Sequence, residues 1–310
     1  MLWEVDDTMR TISIVNQKGG CGKTTTAVNT AAAFAELGKR VLLIDLDPQA
    51  HVTHGLGCDS DSLEKTIYDA LLQTGGVLRD AIVRTRIAGL DLVPCNMLLG
   101  NAEVQLASVP GKELLLSRCL RSVCDEYDLC VIDSPPSLGV LTLNALMASI
   151  DVIIPVQAHC CNMKGLRRLL DSVQIIRERL QSHAAEHIYL LLTFVDDRGA
   201  FGQQVQQQVR GAFGRLVLST MIHRNVSLAE APGAGKPVLT YAPQSRGAAD
   251  YRVLARELLD ELGLRGEPPA VNASVQGGGP KGLVAKSDGS RGPVGKPSRR
   301  TPGPDSIEST

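Results

Sequence analysis

The chain reads Asn16-Gln17-Lys18-Gly19-Gly20-Cys21-Gly22-Lys23-Thr24-Thr25-Thr26 between a short aliphatic run and a longer amphipathic segment. Glycines in such a turn let successive backbone N–H groups point at a phosphate, and the start of the following helix adds a partial positive charge. In that setting Lys23 reaches the terminal phosphates of a nucleotide, and the Thr24 hydroxyl binds Mg²⁺. The stretch therefore predicts a phosphate-binding loop at a strand-to-helix turn.

The loop departs from the common phosphate-loop pattern near its start. The pattern G-x-x-x-x-G-K-[ST] requires glycine at position 17, and this chain has Gln17 followed by Lys18. The loop thus carries a second lysine in addition to Lys23. This departure points to a variant class of phosphate loop.

The pattern of apolar residues predicts an α/β fold. Residues 11–264 alternate β-branched or aliphatic runs with amphipathic segments, which is typical of a mostly parallel sheet flanked by helices on both faces. The first helix is predicted over residues 23–37, ended by Gly38, and the last over residues 248–262. The predicted strands are residues 11–16, 41–45, 90–94, 129–133, 152–156, 188–194 and 217–221.

Three carboxylates follow predicted strands. Asp45 and Asp47 lie at the end of the second strand, and Asp133 ends the fourth. Ligands of parallel sheets bind at the carboxyl ends of the strands. An apolar strand that ends in aspartate is also the usual form of an element that holds Mg²⁺ through water. We therefore expect these carboxylates to face a metal ion and an attacking water.

The segment Lys18-Gly19-Gly20-Cys21-Gly22-Lys23-Thr24-Thr25 resembles the deviant Walker A motif of the superfamily of P-loop NTPases that contains ParA, MinD and the nitrogenase iron protein. The resemblance implies a Mg²⁺-dependent ATPase whose cofactors are ATP and Mg²⁺, with all eight of these residues at the nucleotide. It also implies that Lys18 reaches the phosphates of the partner in an ATP-sandwich homodimer. Asp47 would then orient the attacking water, while Asp45 and Asp133 support the metal shell with Thr24.

Several further segments resemble ParA partition ATPases of the short, Soj-like form. They are residues 45–49, 132–139, 142–146, 154–157, 224–232, 235–238 and 245–248. This resemblance implies an ATPase that partitions a chromosome or plasmid and is stimulated by a ParB-type (Spo0J-like) partner. It covers nearly the whole predicted folded region.

The same resemblance implies that the ATP-bound dimer binds double-stranded DNA without sequence preference. The matching basic residues are Arg198, Arg224 and Arg246. Two departures weaken this patch, because Ser227 replaces an expected arginine and His223 replaces the usual proline. Surface arginines are also common without any ligand, so these residues could simply be solvated.

Composition excludes several function classes. Lys and Arg number 32 against 33 Asp and Glu, so the chain is not a polycation that coats nucleic acid. Aromatic residues make up 3%, which argues against recognition by base stacking. The acidic start and the lack of a long uncharged apolar stretch predict a cytoplasmic protein without a membrane partner. The resemblance adds the expectation that the protein associates with the nucleoid.

Composition also divides the chain into three parts. Residues 1–10 are predicted to be a short extension, residues 11–264 the ATPase domain, and residues 265–310 a disordered tail. In the tail Gly, Pro and Ser supply 22 of 46 residues, and seven Lys or Arg face four Asp or Glu. Such a segment cannot bury enough apolar surface to fold, although its charge allows weak contacts with an anionic polymer.

Other functions of the same superfamily stay open. The same cycle could position another cargo on the nucleoid, or ATP could serve as a switch in a non-catalytic DNA-binding regulator. A MinD-type membrane switch would need a C-terminal amphipathic helix, whereas this chain ends in a Gly- and Pro-rich sequence. A nitrogenase-like reductase would need cysteines from both subunits around a shared cluster, and the surroundings of Asp133 lack them at the expected positions.

Overall fold

One sheet organises the chain. The structure, a computed structural model, describes residues 9–72, 78–159, 162–180 and 184–264, so the predicted tail and most of the predicted extension lie outside it. Within these ranges the strands are β1 (Arg10–Ile14), β2 (Val41–Asp45), β3 (Val83–Arg84), β4 (Leu90–Val93), β5 (Leu129–Asp133), β6 (Asp151–Gln157), β7 (His187–Val195) and β8 (Val217–His223). Their order is β3-β4-β2-β5-β1-β6-β7-β8, and β3 alone runs antiparallel to its neighbour.

Helices cover both faces of the sheet. In the described ranges they are α1 (Lys23–Glu36), α2 (His51–Gly55), α3 (Ile67–Leu72), α4 (Leu99–Leu106), α5 (Leu115–Leu120), α6 (Val140–Met147), α7 (Met163–Leu180), α8 (Ala200–Phe213), α9 (Val226–Glu230), α10 (Val238–Tyr241) and α11 (Arg246–Glu261). None of these helices is both long enough and apolar enough to cross a membrane.

Alternation along the strands divides the core between the two faces. Ile12, Ile14 and Leu43 pack in the core beneath α1 and α11, whereas Leu42 and Ile44 pack on the opposite face with α3 to α6. The helices α7 and α8 extend that second layer over β6 and β7. Both faces of the sheet are therefore buried, which explains why its central strands read as continuous apolar runs.

The strand register sets the positions of the acidic residues. Asp45 pairs with Asp133 across β2 and β5, and Ile14 of β1 pairs with Asp133 on the other side. Because side chains alternate with a period of two, both aspartates face the same side of the sheet as Leu43, the side covered by α1. The loop that follows β1 leaves the sheet at the same edge.

Most predicted elements are present, with small shifts at their ends. The strands predicted over residues 41–45 and 129–133 have these same bounds, and Gly38 ends the first helix with a φ of +83°. The first strand begins at Arg10 and Met9 is buried, so folded structure starts within the predicted extension. The sequence reasoning missed β3, because two residues are too short for any periodicity to register.

A buried ion pair between the start of β1 and the start of β6 provides a test of the fold. We predict that Arg10→Ala lowers the free energy of unfolding by about 3 kcal/mol, because it removes the arginine from the buried Asp151 carboxylate and leaves His187 Nδ1, at 3.3 Å, as a weaker partner. Arg10 Nε lies 2.5 Å from Asp151 Oδ2, and the Asp151 side chain is 1% exposed. Urea unfolding followed by circular dichroism measures the change.

The matched control is Arg40→Ala, which removes an arginine of similar geometry from a solvent-exposed pair. Arg40 Nη2 lies 2.7 Å from Asp128 Oδ1, and both side chains are open to water. Such pairs contribute about 0–1 kcal/mol. Equal losses in the two variants would contradict the importance assigned to burial of the Arg10 pair.

Candidate nucleotide-binding site

The loop between β1 and α1 has the backbone of a phosphate cradle. Gly20 and Gly22 have φ values of +70° and +94°, a region that other residues adopt only with strain. The first helical bond runs from Thr26 N–H to Gly22 O at 2.9 Å. The N–H groups of the preceding three residues have no acceptor within the helix and remain available to an anion.

Lys23 and Thr24 begin α1 and face the aspartates. The Lys23 side chain is largely buried, and its positive charge acts to lower the pKa of Asp133. Thr24 Oγ1 donates a hydrogen bond to Asp133 Oδ2 at 2.8 Å. The lysine and the hydroxyl that the sequence places at a nucleotide therefore lie next to the predicted carboxylate.

Asp45 is buried and held by a residue that the sequence reasoning missed. Its Oδ2 accepts hydrogen bonds from Thr53 N–H at 2.8 Å and from Thr53 Oγ1 at 2.7 Å. Burial raises the pKa of Asp45 to about 6, although these hydrogen bonds oppose the shift. Thr53 lies on α2, and no motif marks it in the sequence. The only sequence signal for its role is that it lies eight residues after Asp45.

Asp133 is the second buried carboxylate of the site. Burial raises its pKa well above the usual value, and the neighbouring charge of Asp45 raises it further. Asp47, which is 6% exposed, accepts the Gln49 N–H with its Oδ1 at 3.0 Å. Three acidic side chains thus share a site in which Lys23 supplies positive charge from α1.

These residues fit a bound Mg²⁺. The Asp133 Oδ1 atom is buried and has no hydrogen-bond partner in the described part of the chain. The nearby donors are carboxylate and hydroxyl oxygens, which are the ligands that Mg²⁺ prefers. A cation at this position would satisfy the unpartnered oxygen and reduce the repulsion between Asp45 and Asp133.

A cavity beside the phosphate loop has the size of a nucleoside site. Its volume is about 530 Å³, within the usual range for small-molecule pockets. Residues from the loop, β7, β8 and α11 line it, including Gly22, Thr25, Thr193, Phe194, Asn225 and Tyr251. Sequence reasoning did not predict this lining, because most of it comes from strands and helices far along the chain.

The wall of this cavity is tied to the loop by hydrogen bonds. Thr193 Oγ1 donates to Cys21 O at 3.0 Å, and the Tyr251 hydroxyl lies 3.3 Å from Thr26 Oγ1. Phe194 has a φ of +54°, which is unusual for a residue with a large side chain. Two segments that the sequence analysis singled out lie at or near this cavity. The segment 224–232 contributes Asn225 to its lining, and the segment 245–248 directly precedes the turn of α11 that carries Tyr251.

Lys18 lies exposed on the outer side of the loop. Its Nζ donates to Gln157 Oε1 at 2.5 Å, and its backbone N–H donates to Asn16 Oδ1 at 2.9 Å. It therefore does not join Lys23 next to the buried aspartates. Gln157, at the end of β6, lay in one of the family-like segments without a role assigned to it.

The three predicted DNA-binding arginines lie on neighbouring segments. Arg224 N–H donates to Val195 O at 2.9 Å, which places it near the loop that carries Arg198. Arg246 Nη2 forms an ion pair with Asp197 Oδ2 at 2.7 Å. All three arginines are exposed, but the charge of Arg246 is matched by an aspartate that the sequence reasoning did not weigh.

Similar sequences place the chain among known proteins. A family model described as an AAA domain matches residues 9–185. The sporulation initiation inhibitor protein Soj of Bacillus subtilis is 44% identical over 247 residues, which are 80% of this chain and 97% of that protein. The chromosome partitioning protein ParA of Myxococcus xanthus is 41% identical over 250 residues, which are 81% of this chain and 88% of that protein.

Solved structures share the architecture. Cobyrinic acid a,c-diamide synthase of Mycobacterium smegmatis, with a bound ATP analogue and magnesium, matches with a TM-score of 0.72 and 35% identity over 82% of this chain and 96% of that chain. The septum site-determining protein MinD of Pyrococcus horikoshii, complexed with Mg-ADP, has a TM-score of 0.65 and 24% identity over 84% of this chain and 99% of that chain. The second likeness concerns the fold alone.

We predict that Lys23→Ala lowers the affinity for Mg-ATP at least about 30-fold, since a charge-assisted hydrogen bond contributes roughly 2–3 kcal/mol. Titration with a fluorescent ATP analogue measures the affinity. Lys65→Ala is the control, because the Lys65 ammonium pairs with Asp80 on the surface. Unchanged nucleotide binding in Lys23→Ala would contradict the assignment of the phosphate loop.

Proposed function

Since this chain belongs to the ParA and Soj family of deviant Walker A ATPases, we propose that it hydrolyses ATP in a Mg²⁺-dependent reaction to drive partitioning of a chromosome or plasmid. The ATP-bound form is a homodimer that binds double-stranded DNA without sequence preference. A ParB-type partner stimulates hydrolysis and releases the protein from the nucleoid. The unpartnered Asp133 oxygen beside the phosphate loop is the observation that carries this proposal.

The site supports phosphoryl transfer by position and charge. The free N–H groups at the start of α1 and the Lys23 ammonium bind the phosphates, and the 530 Å³ cavity takes the nucleoside. Thr24, Asp45 and Asp133 would hold Mg²⁺, which neutralises the charge that develops on the phosphates. Such a reaction needs little covalent help from the protein.

Asp47 orients the attacking water. One of its oxygens is engaged by the Gln49 N–H, so the carboxylate is held while the other oxygen can accept a hydrogen bond from water. The side chain is 6% exposed, which limits competing contacts with bulk solvent. Asp47 therefore acts on the rate of hydrolysis and leaves the phosphate loop untouched.

The position of Lys18 supports dimerisation. Its side chain is exposed and donates to Gln157 Oε1 on β6, whereas the buried Lys23 lies near Asp133. An exposed lysine in this position is better placed to contact phosphates bound by a second copy of the chain than phosphates in its own site. In the proposed dimer each Lys18 contacts the phosphates bound by the other protomer.

DNA binding rests on Arg198 and Arg224 more than on Arg246. Arg246 forms an ion pair with Asp197, which offsets its positive charge. His223 also lies near Asp197 and near Asp250. Neutralising a DNA phosphate requires a cation that is not already neutralised. The dimer presents two copies of each arginine along one duplex, and the basic tail adds weaker contacts.

We predict that Asp47→Ala binds ATP with nearly normal affinity but hydrolyses it at least about 100-fold more slowly, because the water is no longer oriented. The ATP-bound dimer should accumulate as a consequence. Phosphate release measures turnover, and light scattering after size exclusion in Mg-ATP measures mass. Omitting Mg²⁺ should abolish turnover in the parent chain.

Asp69→Ala is the matched control for Asp47→Ala. Asp69 accepts hydrogen bonds from Thr66 at the start of α3, outside the site, so its loss should leave turnover intact. Wild-type turnover in Asp47→Ala, with only monomer present in Mg-ATP, would refute the role of Asp47. Nucleotide binding without turnover in the parent chain, with DNA and partner present, would favour a non-catalytic regulator.

We predict that DNA binding requires ATP, is insensitive to sequence and weakens with salt. Arg198→Ala should reduce the slope of log affinity against log salt by about 2, because the dimer loses two phosphate contacts. Arg246→Ala should have a smaller effect, because Asp197 already neutralises Arg246. Fluorescence anisotropy with duplexes of different sequence measures both variants.

Deleting residues 266–310 separates the folded face from the tail. The deletion should weaken DNA binding less than Arg198→Ala does. If the deletion abolishes binding while Arg198→Ala binds normally, the DNA site lies in the tail and the family's patch does not apply to this chain.

A further inference from the structure

Gln157 connects the two sides of the phosphate loop. Its Oε1 accepts a hydrogen bond from Lys18 Nζ at 2.5 Å, and its Nε2 donates to Gly20 O at 2.6 Å. The chemistry fixes the orientation of the amide, because an ammonium can only donate and a carbonyl oxygen can only accept. A single side chain at the end of β6 thus restrains both the lysine and the backbone of the loop.

Gln157 also lies between two cavities. It lines the 530 Å³ cavity on one side and a second cavity of about 750 Å³ on the other, together with Lys18, Gln17 and His159. A nucleotide in the first cavity would lie beside Gly22 and the backbone that Gln157 binds. The second cavity leaves open space next to the lysine.

We propose that Gln157 is a positioning residue that holds Lys18 against its own loop until ATP is bound. The proposal rests on the proposed function, in which Lys18 contacts the phosphates of a second copy. While its ammonium donates to Gln157 Oε1 at 2.5 Å, the Lys18 side chain is held at its own loop and is less free to reach the phosphates of a second copy. Release of this hydrogen bond is therefore a step between ATP binding and dimerisation.

Two substitutions of Gln157 change the strength of its interaction with Lys18 in opposite directions. Gln157→Leu removes both hydrogen bonds with little change in side-chain size. Gln157→Glu keeps an acceptor for Lys18 and adds a negative charge, which strengthens the contact with the ammonium. The same carboxylate loses the donor to Gly20 O.

Chemical labelling of Lys18 tests the hold without nucleotide. Lysine acylation by a soluble reagent, followed by mass spectrometry, gives the rate at Lys18 relative to Lys65 in the same sample. Gln157→Leu should raise this ratio about three- to tenfold, since one hydrogen bond to the ammonium is lost. Gln157→Glu should lower it. Equal ratios in the parent and both variants would overturn the proposal.

A second experiment tests whether the hydrogen bond between Gln157 and Lys18 opposes dimerisation. In an Asp47→Ala background, the ATP concentration that gives half-maximal dimer, divided by the dissociation constant for ADP, should fall in Gln157→Leu and rise in Gln157→Glu. The ratio corrects for any change in the nucleotide pocket itself. An unchanged or oppositely changed ratio would overturn the proposal.

A Lys18→Arg background shows whether the effect passes through the lysine. Because a guanidinium differs in length and geometry, Gln157→Leu should change the dimerisation ratio less in that background than beside Lys18. An equal change would assign the effect to Gly20 and overturn the proposal. If the parent chain forms no dimer in Mg-ATP, the proposed dimer is wrong, and the labelling ratio alone decides whether Gln157 holds Lys18.

Discussion

Two buried carboxylates on neighbouring parallel strands impose the main constraint on this molecule. Asp45 and Asp133 occupy paired positions at the ends of β2 and β5, where both face the helix that follows the phosphate loop. Burial favours the protonated form of both carboxylates, and the charge of Asp45 adds to this effect at Asp133. Hydrogen bonds from Thr53 and Thr24 and the charge of Lys23 oppose this, and each of these groups has a place in the proposed nucleotide site. The groups that stabilise the ionised carboxylates thus belong to the proposed ATP site.

The same arrangement links stability to ligand binding. Among the described residues, Asp133 Oδ1 is buried without a hydrogen-bond partner, which is unfavourable for the folded state. A ligand that binds only the folded state stabilises it by mass action, and a cation at this oxygen would also remove the local cost. The oxygen that carries this local cost therefore lies at the edge of the sheet where Mg-ATP is proposed to bind.

Much of the fold could be predicted from the sequence, because both faces of the sheet are buried. The strands ending in Asp45 and Asp133 read as unbroken apolar runs, and Gly38 marks the end of α1 by its left-handed backbone. The phosphate loop and the three aspartates were also evident, since they lie close to strand ends. Gln157 and Tyr251 were not, because their parts in the site depend on contacts between segments that are distant in the sequence. Thr53 was not either, because no motif marks it although it lies only eight residues from Asp45.

The pairing of Arg246 with Asp197 has a consequence for cooperativity under the proposed function. With that charge neutralised, each protomer offers Arg198 and Arg224 as its main cations, and a lone protomer holds a duplex weakly. Joining two protomers turns the second contact into an intramolecular event, which raises avidity by far more than twofold. A modest positive charge on each protomer thus makes DNA binding depend steeply on ATP. A strongly basic face would bind DNA as a monomer as well, so ATP would change the affinity less.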